Sequence, residues 1–265
     1  MKLGCIGTGM MASAMLKGVI ASGFLSPEEI TVYDKSPAAM RKAQEQLGVQ
    51  TASCAEEVFA AAQTVQLGVK PQDMPALLGG LSDTIRQTRP LLLSIAAGIK
   101  LSVLDPAEER RVVRLMPNIN ATVGQAMTAY CPNPRVTGEE VNFTAAYCAC
   151  FGKAVALEEK HFSAYCALAG SAPAFVFLFL DELARAGVSA GLPKAAALEI
   201  ATQTVLGSAE TLRQSGDTHP YALIDQVCSP AGTTIAGINA LREHGFAHAL
   251  SQAVLAAYRR DIALG

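Results

Sequence analysis

Two short segments, one near each end of the 265-residue chain, combine residue types and spacing that chemistry can use. The first is Gly7-Thr8-Gly9-Met10-Met11-Ala12, which follows the apolar run Lys2–Ile6 and opens a helical pattern from Met10 to Ser22. Glycines so spaced between a strand and a helix form a dinucleotide fingerprint. Gly7 makes the tight turn, Gly9 lets the backbone approach a pyrophosphate, and Ala12 keeps the helix against the sheet. The unpaired N–H groups and positive dipole end of that helix attract the anion. The second segment is Ser229-Pro230-Ala231-Gly232-Thr233-Thr234, ahead of an apolar helical pattern that runs toward Arg242. It reads as another helix start with several unpaired N–H groups, suited to a carboxylate. Simple capping of that helix by Ser229 or the threonines accounts for the same residues equally well.

A third place selects a ligand without reacting. Asp34-Lys35-Ser36 closes the second β-rich run, Ile30–Tyr33, where a dinucleotide-binding domain distinguishes a ribose hydroxyl from a 2′-phosphate. Asp34 suits the hydroxyls of NADH and repels a phosphate, whereas Lys35 and Ser36 offer the phosphate of NADPH a cation and a hydroxyl. A solvated carboxylate at a strand end is the lesser alternative account of Asp34.

These residues need a frame. The N-terminal part alternates β-rich runs (Lys2–Ile6, Ile30–Tyr33, Thr64–Val69, Leu91–Ala96, Val112–Leu115) with helical patterns, including Pro37–Leu47, Met74–Leu81 and Ser102–Leu104. That alternation predicts a mostly parallel sheet covered on both faces. Past Lys153–Leu157 the β-rich runs stop, and Ala- and Leu-rich helices punctuated by Gly or Pro follow. The expected fold class is α/β: an N-terminal Rossmann dinucleotide-binding domain over 1–159, then an all-α domain over 160–265. Around Phe175, Phe177, Leu178, Phe179 and Leu180 the helical part has almost no polar face. A lone bundle would leave that surface in water, which predicts a symmetric homodimer.

Composition excludes other classes. With 51% apolar residues, 17% charged and a net charge of −2, the chain reads as globular and offers no electrostatic case for nucleic acid. Its first residues lead straight into the glycine turn, unlike an export signal. Ala164–Leu180 carries no charge, yet it contains Gly170, Ser171 and Pro173 and falls short of the roughly 20 residues a bilayer requires, so no membrane partner is expected. Cys5, Cys54, Cys131, Cys148, Cys150, Cys166 and Cys228 form neither a disulfide framework nor a CxxC pair, which suits reduced thiols and a cytoplasmic location. His244 and His248 can share a helix face but lack a third ligand, so no metal is expected.

Several further segments occur in a distinctive order: Val69-Lys70-Pro71, Ser94-Ile95-Ala96-Ala97-Gly98-Ile99, Arg114-Leu115-Met116-Pro117-Asn118, Gly170-Ser171-Ala172-Pro173-Ala174, and Ser229 through Gly237. With the glycine fingerprint they resemble the pyrroline-5-carboxylate reductases along the whole chain. The resemblance implies hydride transfer from NAD(P)H to the C=N carbon of 1-pyrroline-5-carboxylate, giving L-proline. NADPH is the expected cofactor and NADH the alternative. It further implies a cofactor held by Ile6, Gly7, Thr8, Gly9, Met10 and Met11, by Asp34, Lys35 and Ser36, and by Val69, Lys70, Pro71, Ala96, Ala97 and Asn118. The imine acid would lie against Ser229, Gly232, Thr233 and Thr234. A hydroxyl near the imine nitrogen serves protonation; Thr233 and Thr234 both qualify, and family position points to Thr233 as the catalytic one. Asp217 is a weaker electrostatic partner, better explained as an exposed turn residue. The helical domain would interlace two chains so that one chain's Rossmann domain meets the partner's SPxGTT segment, with dimers assembling into rings.

Four residues depart from the family pattern: Ala231 and Ala172 stand where glycine is usual, Asn120 where proline is, and Ala55 where asparagine is. If either glycine position needs positive φ, alanine costs about 1 kcal/mol there. Two other functions fit the same outline: a reductase of other cyclic imines or β-hydroxyacids, and a non-catalytic nucleotide sensor.

Overall fold

In the computed structural model, which describes residues 2–264, the alternating half folds as one eight-stranded sheet. Its strands are β1 (Leu3–Ile6), β2 (Ile30–Tyr33), β3 (Gln50–Thr51), β4 (Thr64–Leu67), β5 (Leu91–Ser94), β6 (Arg111–Met116), β7 (Ala126–Pro132) and β8 (Gly152–Ala156), in the order β3-β2-β1-β4-β5-β6-β7-β8. From β3 to β6 every neighbouring pair is parallel. The order reverses between β1 and β4, the switch point of a doubly wound sheet. β7 was not expected from sequence; it pairs antiparallel with β6 and then parallel with β8. Its residues, AMTAYCP, lack the unbroken apolar or β-branched run that marks β2, β5 and β6.

Helices cover both faces of this sheet: α1 (Met10–Ala21), α2 (Pro37–Leu47), α3 (Ala55–Ala61), α4 (Met74–Gly80), α5 (Ser82–Thr88), α6 (Leu101–Leu104) and α7 (Gly138–Ala149). In α1 the buried residues are Ala12, Met15, Leu16 and Val19, an i, i+3, i+4, i+7 stripe. They join Leu3, Cys5, Leu91, Leu93 and Val113 in the core on one face. The alternate residues Ile6, Leu92 and Val112 point to the other face, where they meet Val58, Phe59, Met74 and Ile85. Gln66, fully buried in β4, is satisfied by the Tyr147 hydroxyl and by the Cys5 sulfur at 3.4 Å. Thr137 and Glu140 form a reciprocal capping box that starts α7.

Packing divides the chain into two compact units, one running to Gly170 and including the C-terminal residues from Tyr258, the other Ser171–Ala257. At the end of the first unit lie α8 (Phe162–Tyr165) and one π-helical stretch, Cys166–Ser171. The second unit consists of α9 (Ala172–Ser189), α10 (Lys194–Gln214), α11 (Pro220–Val227), α12 (Thr233–Glu243) and the first part of α13 (Phe246–Leu264). Between α9 and α10, Gly191 at φ +101 and Leu192-Pro193 make the turn. The helical run containing α9 is longer than its uncharged stretch suggests. It spans Glu159–Ser189, 31 residues with mean hydropathy 1.7, and by length and composition alone it is long and apolar enough to cross a membrane. Only 11% of its apolar window is buried.

Candidate active site

Because β1, β2, β4, β5 and β6 run in parallel, their carboxyl ends share one edge of the sheet. Register fixes the alignment: Ile6 stands beside Tyr33 and Leu67, and Leu67 beside Ser94. The segments expected to hold a cofactor therefore leave the sheet from the same side, Gly7–Met11 after β1, Asp34–Ser36 after β2, Val69–Pro71 after β4, Ala96–Ala97 after β5 and Asn118 after β6. In an open α/β sheet this edge, at the switch point, is where a ligand binds.

The two glycines of the fingerprint have different duties. Gly7 has φ +90, and a Cβ on it would stand 2.7 Å from the backbone of Gly68. Gly9 has φ −63 and caps α1 with no side-chain hydrogen bond, and a Cβ on it would meet nothing within 4 Å. One glycine is needed for the turn and the other leaves room, open beside the unpaired amides of Met10, Met11 and Ala12. That open cradle at a helix start fits a dinucleotide diphosphate. Gly68 was not singled out from sequence. A Cβ on it would lie 2.7 Å from the Gly7 carbonyl and 3.1 Å from Ala12 Cβ, so it completes the close packing of turn, helix and strand. Its signal was a glycine at the end of β4 immediately before Val69-Lys70-Pro71. Beneath the turn, burial pushes the Cys5 thiol up to about 12, and it stays protonated to donate to the Gly7 carbonyl at 3.4 Å.

At the end of β2 the carboxylate of Asp34 turns back toward the glycine turn. Its Oδ2 accepts from the Thr8 amide at 2.8 Å and the Thr8 hydroxyl at 3.2 Å, and its Oδ1 accepts from the Ser36 amide at 2.9 Å. Three of about four acceptor positions are thus occupied. Lys35 Nζ lies 2.9 Å from Asp73 Oδ2, joining the loop after β2 to the loop after β4. Hydrogen bonding to Asp73 raises the Lys35 pKa, so the cation persists through the neutral range. The Ser36 hydroxyl caps α2 by accepting from Ala39 N at 3.3 Å.

On the remaining loops Ala96 is buried while Ala97 is exposed. Val69 and Pro71 are half-buried beside the exposed Lys70. Asn118 is committed to scaffolding: its Nδ2 donates to the Ala169 carbonyl at 3.0 Å and its Oδ1 accepts from Met127 N at 3.4 Å. Sequence reasoning also missed the role of Arg114. Buried at the end of β6, it pairs with Glu159 at 2.9 Å and lies 4.5 Å over the Phe162 ring. Glu159 also accepts from Leu101 N at 2.8 Å, which ties the loop after β5 to the helical run.

In the second unit, Ser229, Gly232, Thr233 and Thr234 come together at the start of α12. Gly232 is the N-cap and makes no side-chain cap hydrogen bond. The amides of Thr233, Thr234 and Ile235 therefore remain the orphan donors of the first turn. Among the described residues neither threonine hydroxyl has a partner. A Cβ on Gly232 would stand 2.2 Å from Ser229 Oγ and 3.1 Å from the Ser229 carbonyl, so a larger residue there would turn the Ser229 hydroxyl away from its present position. The left-handed φ of this turn falls on Ala231, at +58, so the cost expected for alanine applies at that position. Ala172 opens α9 and does not share it. Asp217 is exposed in the segment before α11.

The fold and the cofactor edge define a two-unit oxidoreductase with a Rossmann-type dinucleotide-binding domain. Residues 2–98 match the model of NADP oxidoreductase, coenzyme F420-dependent, and residues 159–264 match that of pyrroline-5-carboxylate reductase dimerisation. The pyrroline-5-carboxylate reductase of Escherichia coli (strain K12) is 39% identical over 255 residues, 96% of this chain and 94% of that protein. A solved pyrroline-5-carboxylate reductase from Coxiella burnetii superposes with TM-score 0.94 at 29% identity, covering 100% of this chain and 98% of that one. The Plasmodium falciparum pyrroline carboxylate reductase, solved with NADP bound, gives TM-score 0.88 at 28% identity over 100% and 98% of the two chains. The chain belongs to the pyrroline-5-carboxylate reductase family. It is an NAD(P)H-dependent oxidoreductase.

Proposed function

We propose that this protein reduces 1-pyrroline-5-carboxylate to L-proline, acting in the sense of an oxidoreductase on a CH–NH group. The observation that carries the reading is the start of α12, where uncapped amides and two unpartnered threonine hydroxyls stand together in a chain that also has an intact dinucleotide cradle. The substrate offers a carboxylate and, beside it, a C=N bond. The amides of Thr233 and Thr234, with Ser229 and Gly232 shaping the turn, hold the carboxylate at the positive end of the helix. Thr233 directs its hydroxyl at the imine nitrogen, orients it and relays a proton where the imine arrives neutral. The glycine turn, Ile6 through Met11, holds the diphosphate, and the loops bearing Val69–Pro71, Ala96–Ala97 and Asn118 line the reacting end. The bound cofactor supplies the hydride.

NADPH is the proposed cofactor. Asp34 spends its oxygens on Thr8 and Ser36 and stands less ready for a ribose hydroxyl. Lys35, next to Asp34 in the chain, offers a cation there, although a 2′-phosphate would share it with Asp73. Replacing Lys35 with Ala is expected to lower the NADPH-to-NADH efficiency ratio about tenfold. An unchanged ratio would remove Lys35 from phosphate recognition.

The exposed apolar side chains of α9, together with the dimerisation model matched over 159–264, support a homodimer built on domain 160–265, with 1–159 as the cofactor domain. Assembly of dimers into rings is part of the same proposal. Seven free cysteines support a reducing, cytoplasmic setting. The test of function is isotopic: NADPH deuterated at the transferring position and pyrroline-5-carboxylate should yield proline carrying deuterium at C5. Turnover of hydroxyacids or other cyclic imines in preference to this substrate would refute the assignment.

A further inference from the structure

At the amino edge of the sheet, opposite the cofactor loops, lies a cavity of about 730 Å³ lined by Arg86, Arg89, Arg110, Arg111, Arg135 and Glu109. It sits where β5 begins at Leu91 and β6 at Arg111, wholly within the first unit. Nothing in the reduction of an imine acid uses it.

Three of the five guanidiniums are held in place, and the set is only partly neutralised. Arg111 pairs with Glu140 at 2.5 Å and Arg86 approaches Asp83 at 3.6 Å. Among the described residues Arg89, Arg110 and Arg135 have no carboxylate within ion-pair distance. Backbone carbonyls pin three of the groups: Arg110 donates to Leu104 O at 2.9 Å, Arg111 to Arg89 O, and Arg135 to Glu108 O. Carbonyls orient a guanidinium and use some of its five N–H donors, but they leave its charge intact.

The backbone here is also strained. Arg89 at φ +46 and Glu108 at φ +54 are the two described non-glycine residues of the first unit with left-handed φ. Their carbonyls are the ones that receive Arg111 and Arg135. Arg89 occupies the C-cap of α5, where glycine is the undemanding choice. Strained positions held by ordinary side chains collect at ligand sites, because function retains what stability would discard.

We propose that this cavity binds a small molecule carrying a di- or triphosphate, at a site separate from the cofactor edge. Five arginines lining one hollow suit the multiple charge of a phosphate chain and its bidentate recognition. The volume falls in the range of small-molecule sites. Ile85 and Pro90 add apolar wall beside the arginines, room for a nucleoside as well as its phosphates.

The test is calorimetric titration of the full-length protein saturated with NADP+, so that the cofactor edge is filled, using inorganic tripolyphosphate and separately ATP at fixed ionic strength. The proposal expects one saturable site per chain. Arg89→Gly should weaken binding about tenfold or more while leaving melting temperature undiminished, since it removes a guanidinium and relieves the left-handed φ. Arg86→Gln should weaken it by a smaller factor without changing imine reduction. Tighter binding of ATP assigns a nucleotide as the occupant, and equal binding assigns the phosphate chain alone. Absence of saturable binding, or one dissociation constant shared by the parent and both variants, would overturn the proposal.

Discussion

The two units differ in how they deal with apolar surface. The first buries strands and helices against each other in two large cores, one on each face of its sheet, with a smaller cluster around Phe162 and Tyr165. In the second, the buried described residues are Ala184, Ala197 and Ala201, while Phe177 is 58% and Leu178 62% exposed. A unit of helices with only alanines at its centre has its large side chains turned outward, where a further surface must cover them. The first unit is a self-contained cofactor carrier, and the second is shaped for association.

Breaking association should therefore have the largest effect. Leu178→Glu places a charge on the exposed face of α9, and burying it costs several kcal/mol in each of two symmetric copies. Light scattering is expected to show loss of the dimer, with reductase activity down more than about 100-fold and NADP+ affinity nearly unchanged. A dimeric, fully active variant would dissolve the contrast.

Inside the first unit the two glycines should part company. Gly7→Ala forces a Cβ against the Gly68 backbone at positive φ, and roughly 2–4 kcal/mol of stability should be lost in thermal or denaturant unfolding. Gly9→Ala adds a methyl in open space, so the melting temperature should hold while NADP+ binding weakens about tenfold. Thr233→Ala in the second unit should lower kcat/KM about 10- to 100-fold, with cofactor affinity intact, as loss of a hydrogen bond to a charged substrate predicts. The smallest effect belongs to Ala231→Gly. Relief of φ +58 should add about 1 kcal/mol and raise the melting temperature by about 2–4 °C.

Sequence carried the first unit well because its signals are local. Alternating apolar runs marked β1, β2, β4, β5, β6 and β8 and a mostly parallel sheet, and Gly7-Thr8-Gly9 marked the turn between β1 and α1. What escaped depends on tertiary contact. The close approach of Gly68 to Gly7 and Ala12 joins residues some 60 positions apart in the chain, a separation no local pattern records. The engagement of Asp34 by Thr8 is equally nonlocal, and it changes the meaning of a residue that read as a ribose acceptor. β7 was missed because its alanines and Thr128 do not spell a strand, and the helix that follows it was missed too, although its capping box, Thr137 with Glu140, is a local signal. In the second unit, composition disclosed the greasy α9 but not that the left-handed residue of the Ser229–Gly232 turn would be Ala231.

A crystal structure with NADP+ and proline tests the central claim most directly. The account predicts the proline carboxylate within hydrogen-bond distance of the Thr233 and Thr234 amides at the start of α12, and the cofactor diphosphate against Gly9. A carboxylate bound away from α12, or a diphosphate away from the glycine turn, would contradict it.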